Sequence, residues 1–350
     1  MLPSTNDIQN PTPRLTCQRS FGPTPRLIGA VNIHLLDHDM TWHLLTPARC
    51  QAAVEQSMCA MSEGRLDVPL RSFVPIEACG SLGLMPAIAN EDGLAGAKIL
   101  SLIPRNPQRG LPAIQGLVAL FSTETGALIG LVDGAAVTAR RTAAASAIAS
   151  RTLARNDVNS HGILGTGVQA YSHALAIQHA IPSILNVRIW GRNAPHAIDL
   201  AERLVAEHSI PARAAKLDDA ASCDIVTAVT ASQTPLIEHH HLHAGMHINL
   251  VGSHQPDRRE ASSAVMAAAR IFVDRRAAAL AEAGDILLAI AEGQIAATDI
   301  RGELGDVLLG RYEGRSCESD ITVFKSLGNA GQDLYAAAAV LEAGREQSLV

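Results

Sequence analysis

From Ser160 onward the sequence repeats one pattern, in which an apolar strand leads through a glycine-containing turn into a helix. This alternation predicts a parallel, doubly wound sheet with helices on both faces. The first copy contains "GILGTGVQA", where Gly165, Gly167 and Ala170 form a G-x-G-x-x-A motif. In a dinucleotide site the first glycine makes a tight turn, the second lets the backbone approach a pyrophosphate, and the small third residue lets helix and strand pack. The context favours a dinucleotide site over a plain strand-to-helix turn.

The end of the second strand bears on which dinucleotide would bind. "NVRIWGRN" places Arg192 and Asn193 where an NAD site usually has an acidic residue for the ribose hydroxyls. An acid would repel a 2′-phosphate, whereas an arginine pairs with it, so the sequence favours NADPH, with NADH possible. The alternative is that Arg192 is a solvated surface residue.

The N-terminal half has a different texture. Residues 46–62 are helix-like, and short β-rich runs broken by Gly and Pro follow, ending in a hairpin with its turn at 122–126. The next stretch, "VTARRTAAASAIASRTLAR", is a strong helix for which Thr138 is the predicted N-cap. These elements predict a mostly antiparallel α+β domain ahead of the parallel one.

Composition excludes several classes of function. A formal net charge of -6 argues against a general nucleic-acid binder, which needs a basic surface, and no apolar run is long enough to span a membrane. The six cysteines are scattered without a C-x-x-C pair, which indicates reduced thiols and a cytoplasmic protein. Residues 1–25 are rich in Pro, Thr, Asn and Gln and lack the order of a secretory signal, so we expect a disordered lead-in.

Three cations stand in unusual positions. Arg71 in "PLRSFVP" and Lys98 in "GAKILSL" are lone charges in β-runs, and Arg141 falls in the expected first turn of the alanine-rich helix, where the helix dipole disfavours a cation. A bound carboxylate or cofactor phosphate would compensate that charge. Alternatively, Arg71 and Lys98 occupy the wet faces of strands, and Arg141 faces water with Arg140. Only convergence of the three on one cleft would make a carboxylate site.

The run "EHHHLHAGMHINLVGSH", residues 238–254, invites a metal hypothesis. The histidines of residues 239–243 lack the one-face spacing and the neighbouring carboxylate or thiolate of a closed site, so we predict a solvated loop and no metal. His247 begins a buried strand. His254 follows the end of that strand, where doubly wound folds place ligands, and an imidazole titrates near neutrality, so His254 is a candidate proton-transfer group.

From about Arg71 to Ala338 these stretches together resemble the ornithine cyclodeaminase/mu-crystallin family. The resemblance implies an α/β homodimer in which a Rossmann-type doubly wound parallel sheet is joined to an α+β substrate and dimerisation domain of mostly antiparallel strands. Residues 26–155 and 325–350 would form the substrate domain, and residues 156–324 the dinucleotide-binding domain. The matching pieces are "LMPAI", "AKILSLIPRNPQRGLPAIQGLVALFSTETGALIGLVDG", "VTARRTAAASAIAS", "GILGTGVQA", "HINLVGS", "AEAGDI", "GELGDV" and "ITVFKSLGNAGQDL".

The resemblance also implies roles for individual residues. Arg71, Lys98 and Arg141 would hold the substrate carboxylate or the nearby cofactor. The glycine motif would cradle the pyrophosphate, the end of the second strand would meet the adenosine ribose, and the segment 325–328 would lie near the nicotinamide. The residues assigned to the cofactor are Gly165, Thr166, Gly167, Val168, Gln169, Arg192, Asn193, Thr230, Val251, Gly252, Lys325, Ser326 and Gly328.

The family contains two chemistries, and one segment distinguishes them. Cyclodeaminases resemble one another in a pattern like VGGDxPGKxE, whereas ketimine reductases are close to VGAxxPDxRE. This chain has "VGSHQPDRRE", with His254 in place of the aspartate. A cyclodeaminase needs a carboxylate to manage protons on an amine, whereas imine reduction needs only a hydride and a protonated C=N group.

We therefore predict an NAD(P)H-dependent reductase that converts Δ1-pyrroline-2-carboxylate to proline, with Δ1-piperideine-2-carboxylate to pipecolate as a second candidate reaction. The proton would come from solution or through His254. Two alternatives stay open: an ornithine or lysine cyclodeaminase that releases ammonia, and a mu-crystallin-like protein that binds NADPH and a ligand.

Overall fold

The computed structural model describes residues 33–77 and 79–349. The segment expected to be disordered, residues 1–25, therefore lies outside the described residues. Among the residues that are described, no helix is both long enough and apolar enough to cross a membrane.

The first half of the chain builds a six-stranded sheet in the order β1-β6-β5-β4-β3-β2, antiparallel except for the parallel β1–β6 pair. Helices follow β1 and β6 and pack against the sheet and each other. The elements are β1 His34–Leu36, α1 His38–Leu44, α2 Pro47–Ser62, β2 Ser72–Ile76, β3 Gly80–Ala89, β4 Leu94–Leu102, β5 Ile114–Ser122, β6 Leu128–Asp133 and α3 Gly134–Leu153. The predicted helix at 46–62 is confirmed, with Thr46 as its N-cap.

The second half forms an eight-stranded sheet in the order β13-β12-β14-β11-β10-β7-β8-β9, with every pair parallel. This confirms the predicted α/β class. The elements are β7 Ser160–Leu164, α4 Val168–Ala180, β8 Asn186–Trp190, α5 Ala194–His208, β9 Ala212–Ala214, α6 Leu217–Ala221, β10 Ile225–Ala228, β11 His247–Leu250, α7 Ser263–Ala268, β12 Arg270–Val273, α8 Arg276–Glu282, α9 Gly284–Ala291, β13 Ile300–Glu303, α10 Leu304–Leu308, β14 Thr322–Lys325 and α11 Ala330–Glu346.

Helix α3 begins earlier than the sequence suggested, and the prediction of Thr138 as its N-cap is wrong. Asp133 is the N-cap, and its carboxylate accepts a hydrogen bond from the backbone N–H of Ala136 at 2.7 Å. Thr138 lies inside the helix, where its hydroxyl donates to the carbonyl of Gly134 at 2.6 Å. Arg141 therefore lies about two turns into the helix. The helix dipole acts mainly in the first turn, so it does not destabilise the charge of Arg141.

The alanine-rich sequence of α3 allows this helix to pack in two hydrophobic cores. Ala144 and Ile148 are fully covered by the core that includes Leu120 of the six-stranded sheet. Ala143 and Ala147 are buried in the core of α4, β7 and β8. Small side chains let the backbone approach both neighbours closely. This part of α3 is therefore packed between the two sheets, close to the candidate site.

Candidate functional site

A cleft of about 1060 Å³ opens where β7, β8 and β10 end at their carboxyl edge. Doubly wound sheets bind ligands at this edge, where the loops that follow the strands diverge. Five of the predicted cofactor residues line the cleft: Gly165, Thr166, Arg192, Asn193 and Thr230. The structure thus brings together residues that are far apart in the sequence.

The glycine motif has the geometry that a dinucleotide requires. Gly165 has a φ of +129°, and a Cβ built on it would lie 2.9 Å from the side chain of Val229. Gly167 is the N-cap of α4, and nothing lies within 4 Å of a Cβ built there, so a pyrophosphate has room to approach the backbone. Ala170 is fully buried. The N-terminus of α4 offers free N–H groups to phosphate oxygens, and the residues present therefore fit a dinucleotide.

The two residues that follow Gly167, Val168 and Gln169, are not among those that line the cleft. Val168 is 61% exposed, and Gln169 points back toward α3, where its Nε2 donates to the carbonyl of Thr138 at 3.4 Å. The hydroxyl of Thr138 in turn accepts a hydrogen bond from Lys98 Nζ at 3.3 Å. Gln169 therefore connects the cofactor cleft to the cationic residues of the first half of the chain.

Arg192 and Asn193 line the cleft together with a residue that the sequence analysis missed. His196, in the first turn of α5, also lines the cleft, and its Nε2 is 3.1 Å from Asn193 Nδ2. The sequence signal for His196 was only its position four residues after Arg192. The end of the second strand therefore presents an arginine, an amide and an imidazole to the cleft.

Glu260, the last residue of the "PDRRE" segment, holds two loops of the cleft in place. Its carboxylate accepts hydrogen bonds from the backbone N–H and the hydroxyl of Thr230, both at 2.7 Å, and from the N–H of Gly252 at 2.6 Å. Glu260 is fully buried. Burial raises the pKa of this carboxyl, and the charge of Lys325 acts in the opposite direction. Glu260, which both family patterns share at this position, thus has a structural role that the sequence analysis did not assign.

Lys325 supports the same region from beneath rather than lining the cleft. Its ammonium is fully buried, pairs with Asp285 at 2.9 Å, and donates to the carbonyl of Ser253 at 2.5 Å. Asp285 also accepts from the backbone N–H of Glu260 at 2.7 Å. Gly252, which follows Val251, donates to Glu260, so Lys325, Asp285 and Glu260 together hold the loop after β11.

The segment that follows Lys325 turns toward α3. Asp274 accepts hydrogen bonds from the N–H groups of Leu327 and Gly328 at 2.8 and 2.5 Å. Gly328 has a φ of +71°, and a Cβ there would collide with the guanidinium of Arg141. Ser326 is buried, and its hydroxyl has no partner among the described residues. Gly328 is therefore required both by its backbone conformation and by the close approach of Arg141.

Lys98 and Arg141 meet at a carboxylate that the sequence analysis did not single out. Asp333, in the first turn of α11, lies 2.7 Å from Lys98 Nζ and 2.9 Å from Arg141 Nε. The side chains of Lys98 and Asp333 are 1% exposed and that of Arg141 is 6% exposed. The alternative prediction, that Lys98 and Arg141 face water, is therefore wrong. Burial lowers the pKa of Lys98 to about 8, although Asp333 opposes the shift. Burial would raise the pKa of Asp333, but the charges of Arg141 and Lys98 hold it below its ordinary value.

Arg71 reaches the same region from the segment ahead of β2. It pairs with Glu282, the last residue of α8, through Nε at 2.9 Å and through a second, short contact, and its Nη1 donates to the carbonyl of Leu327 at 3.4 Å. Its charge contributes to lowering the pKa of Lys98. A small cavity of about 20 Å³ is lined by Arg71, Glu282 and Gly328. The three predicted cations therefore converge, which spacing alone could not show.

His254 lies on the loop after β11 with its side chain exposed, and its Nδ1 is 3.3 Å from the carbonyl oxygen of Gly252. Partial desolvation, followed by the positive charge of Arg71, lowers the pKa of His254. The imidazole is therefore close enough to the cationic residues to be affected by them, and it is mainly neutral at pH 7.

The histidine run forms a 3-10 turn at His239–His241. The expectation that no carboxylate lies nearby is wrong, because Asp218 is 3.1 Å from His241 Nε2 and its ligand atoms lie within 4.8 Å of those of His240 and His241. The backbone N–H of Glu238 donates to His241 Nδ1 at 2.9 Å. That bond places the ring hydrogen on Nε2, so this nitrogen donates to Asp218 and has no lone pair free for a cation.

Comparison with known proteins supplies independent information. The model of the ornithine cyclodeaminase/mu-crystallin family matches residues 31–348. The Δ1-pyrroline-2-carboxylate reductase of Paracoccus denitrificans is 36% identical over 243 residues, which are 69% of this chain and 77% of that protein. The ketimine reductase mu-crystallin of Mus musculus is 35% identical over 282 residues, 80% of this chain and 86% of its own.

A solved structure agrees with these relatives. The Δ1-pyrroline-2-carboxylate reductase of Thermococcus litoralis, in complex with NADH and L-proline, superposes with a TM-score of 0.87 at 30% identity. The match covers 90% of this chain and 98% of that one.

Proposed function

Because this chain belongs to the ornithine cyclodeaminase/mu-crystallin family, we propose that it reduces small cyclic ketimine carboxylates with a nicotinamide dinucleotide. The proposed reaction is Δ1-pyrroline-2-carboxylate to proline, and Δ1-piperideine-2-carboxylate to pipecolate is the second candidate. The observation that carries the proposal is the buried cluster of Lys98, Arg141 and Asp333, which Thr138 and Gln169 connect to the dinucleotide cleft. A carboxylate site beside a hydride source is what this reduction needs.

The residues of the site divide the work of the reaction. Lys98 and Arg141, with Arg71 beside them, hold the carboxylate of the imine so that its C2 faces the cleft. A reduced nicotinamide bound in the cleft would supply a hydride to C2 of the protonated imine, whose ring nitrogen would take up the electron pair of the C=N bond. Holding two reactants in a productive geometry is a large contribution to such a rate. Because desolvation and then the charge of Arg71 lower the pKa of His254, we assign the proton on the imine nitrogen to solvent.

Two assays test the reaction. Purified protein with NADPH and Δ1-pyrroline-2-carboxylate should oxidise NADPH with equimolar formation of proline. Ornithine with NAD should release no ammonia, because His254 stands where a cyclodeaminase would have its aspartate. Ammonia release without NADPH oxidation in the first assay would replace the proposal with a cyclodeaminase. Saturable NADPH binding with no turnover in either assay would indicate a binding protein.

We propose that NADPH is preferred over NADH. Arg192, Asn193 and His196 line one end of the cleft, and none of the three is acidic. A 2′-phosphate would meet a guanidinium and two groups that can donate hydrogen bonds.

Replacing Arg192 by Asp should therefore raise the Kd for NADPH about 10- to 100-fold, the amount expected for losing a charge-assisted hydrogen bond and adding a like charge. The Kd for NADH should change much less, and both can be measured by fluorescence titration. Arg188→Asp is the matched control, because Arg188 lies on β8 just ahead of Arg192 but donates to the carbonyl of Asp219. An equal loss of affinity for both cofactors would refute the 2′-phosphate contact.

We also propose a homodimer that forms through the six-stranded sheet. One face of this sheet carries large apolar side chains that are 36 to 63% exposed, and they lie side by side across four strands: Val74, Leu82, Leu84, Ile88, Ile99 and Phe121. Contiguous apolar patches of this kind are typical of protein interfaces. Sedimentation should show a dimer, and Leu84→Glu should shift it toward monomer. A monomeric wild-type protein would refute this part of the proposal.

We further propose a cytoplasmic location. Five cysteines of the described chain are free thiols: Cys50, Cys59, Cys79, Cys223 and Cys317. Free thiols are usual in reducing compartments. Cell fractionation would test this, and recovery of the protein from outside the cytoplasm would contradict it.

A further inference from the structure

We propose that Asp333 is a positioning residue of the reduction described above, which fixes Lys98 and Arg141 as a pair and keeps the Lys98 ammonium charged at neutral pH. This inference rests on the proposed function and adds to it a residue that does not itself touch the substrate. It also identifies what limits the reaction at alkaline pH.

The geometry gives Asp333 this position. Its two carboxylate oxygens contact different cations, Oδ2 with Lys98 at 2.7 Å and Oδ1 with Arg141 at 2.9 Å. The three residues come from three elements, β4, α3 and α11, and all are buried. Without the carboxylate, two buried positive charges would face each other with little screening. Asp333 therefore determines both where the two cations lie and whether both can remain charged.

The charges of the cluster match one carboxylate ligand. Lys98 and Arg141 carry two positive charges and Asp333 one negative charge, so the cluster has one positive charge uncompensated, while Arg71 is paired with Glu282. A substrate carboxylate would neutralise the remainder.

Two unpartnered donors point to the same place. Asn329 Nδ2 and Gln332 Nε2 are buried with no hydrogen-bond partner among the described residues. Gln332 lies beside Arg141, whose Nη1 donates to its Oε1 at 3.3 Å. Buried amide N–H groups are rarely left without an acceptor, so these two indicate a ligand with acceptor oxygens next to Asp333.

The ionisable groups around Lys98 set the direction of the pH effect. They are Asp333 of α11, Arg141 of α3 and Arg71 ahead of β2. Two further groups face Arg141: Cys50 of α2, whose pKa burial raises to about 12, and Asp274, whose pKa burial also raises. Of those that act on Lys98, only Asp333 raises its pKa, and burial and the two arginines lower it to about 8. Removing the Asp333 charge must therefore lower the pKa of Lys98 further.

The test is the pH profile of kcat/KM for Δ1-pyrroline-2-carboxylate in Asp333→Asn, which keeps the shape of the side chain and removes its charge. The alkaline limb should move to lower pH by at least about one unit, which from a pKa of about 8 corresponds to a loss of at least about fivefold at pH 8 and about tenfold at higher pH. The loss should appear in KM more than in kcat, and the Kd for NADPH should stay within about twofold, since Asp333 is not in the dinucleotide cleft. Asp333→Glu should restore the limb in part.

The matched control is Asp92→Asn. Asp92 also contacts α11, where it accepts a hydrogen bond from Tyr335, but it lies at the surface with Arg65. Its substitution should leave the alkaline limb in place.

A lower kcat/KM at all pH values with an unmoved limb would show a merely structural role and overturn the inference. If Asp333→Asn fails to fold, Lys98→Met provides the second test: it should abolish the alkaline limb, and a limb that persists would overturn the assignment to Lys98. A wild-type protein that reduces no imine would instead refute the proposed function.

Discussion

Substituting methionine for Arg141 is expected to lower kcat/KM for Δ1-pyrroline-2-carboxylate about 10²- to 10³-fold, a loss of roughly 3 to 4 kcal/mol of transition-state stabilisation. Arg141 is buried, and its Nε and Nη1 are held by Asp333 and Gln332. These bonds aim the guanidinium and leave its other terminal nitrogen for a ligand. Methionine retains the apolar stem but cannot pair with a carboxylate, so the substrate loses one of its two buried cationic partners.

The adjacent residue provides the control for this prediction. The guanidinium of Arg140 lies 3.7 Å from the centre of the Trp42 ring and donates to the carbonyl of Trp42 at 3.4 Å, so its contacts differ from those of Arg141. Arg140→Met should therefore leave kcat/KM within about threefold, although the lost cation–π contact will lower stability by roughly 1 kcal/mol. Thermal unfolding of both variants separates folding from catalysis. Equal kinetic losses in the two variants would contradict the assignment of Arg141 to the substrate.

A large loss of stability is expected on mild acidification. Three histidines are buried around the eight-stranded sheet and hydrogen-bonded in the fold. His161 is bonded to Thr227, His247 to Thr322, and His173 to Ser146. Burial, as the largest cause, lowers the pKa of His161 and His247 to about 3 and that of His173 to about 4.

The sign of the effect follows from these pKa values. In the unfolded chain each ring would take up a proton below about pH 6.5, whereas the folded protein keeps it neutral. The stability contributed by the neutral rings is therefore complete above pH 6.5 and is lost as the pH falls toward 4. Three rings give up to about 4 kcal/mol per pH unit, or about 5 kcal/mol between pH 6.5 and 5, where the slope is still building up. The raised pKa values of buried Glu260 and Asp274 offset part of this loss.

Urea unfolding at pH 7, 6 and 5 measures this dependence. Because the expected loss is comparable to the whole stability of an ordinary domain, the protein should be marginal near pH 5. His173→Gln should reduce the proton uptake on unfolding by about one, whereas His179→Gln, at an exposed position of the same helix, should not change it. A free energy of unfolding that is constant from pH 7 to 5 would show that the buried rings are protonated in the fold.

The second half of the fold could be predicted from the sequence because its signals are local. The apolar runs at β7 and β8, the turn at Gly165 and the helix start at Gly167 each depend on a few neighbouring residues. Parallel order then follows from the alternation of strands and helices. The cleft and five of its lining residues, Gly165, Thr166, Arg192, Asn193 and Thr230, could be assigned for the same reason.

The acidic partners of the site could not be predicted in this way. Asp333 lies 192 positions after Arg141 in the sequence, and Glu282 lies 211 positions after Arg71. Nothing in a sequence states which acid a buried cation will find, because the choice is made by packing between elements. The same holds for Asp218 beside the histidine turn.

The error at the start of α3 has a local cause. Thr138 and Asp133 are both good N-cap residues, and the stretch between them, "GAAV", reads as a turn because of its glycine. Asp133 is the N-cap because α3 begins directly after β6. This start lets the alanines of α3 pack between the two sheets. Because α3 begins at Gly134, Arg141 lies inside the helix and not in its first turn. Its charge is therefore balanced by the buried carboxylate of Asp333, where the sequence analysis expected a bound anion.

The most direct test of the central claim is the fate of the hydride. Purified protein should be incubated with Δ1-pyrroline-2-carboxylate and NADPH deuterated at C4 of the nicotinamide, and the product examined by mass spectrometry and NMR. We predict proline with one deuterium at C2, formed in proportion to the NADPH oxidised. Unchanged NADPH and unlabelled substrate, from a protein that is folded and binds NADPH, would contradict it.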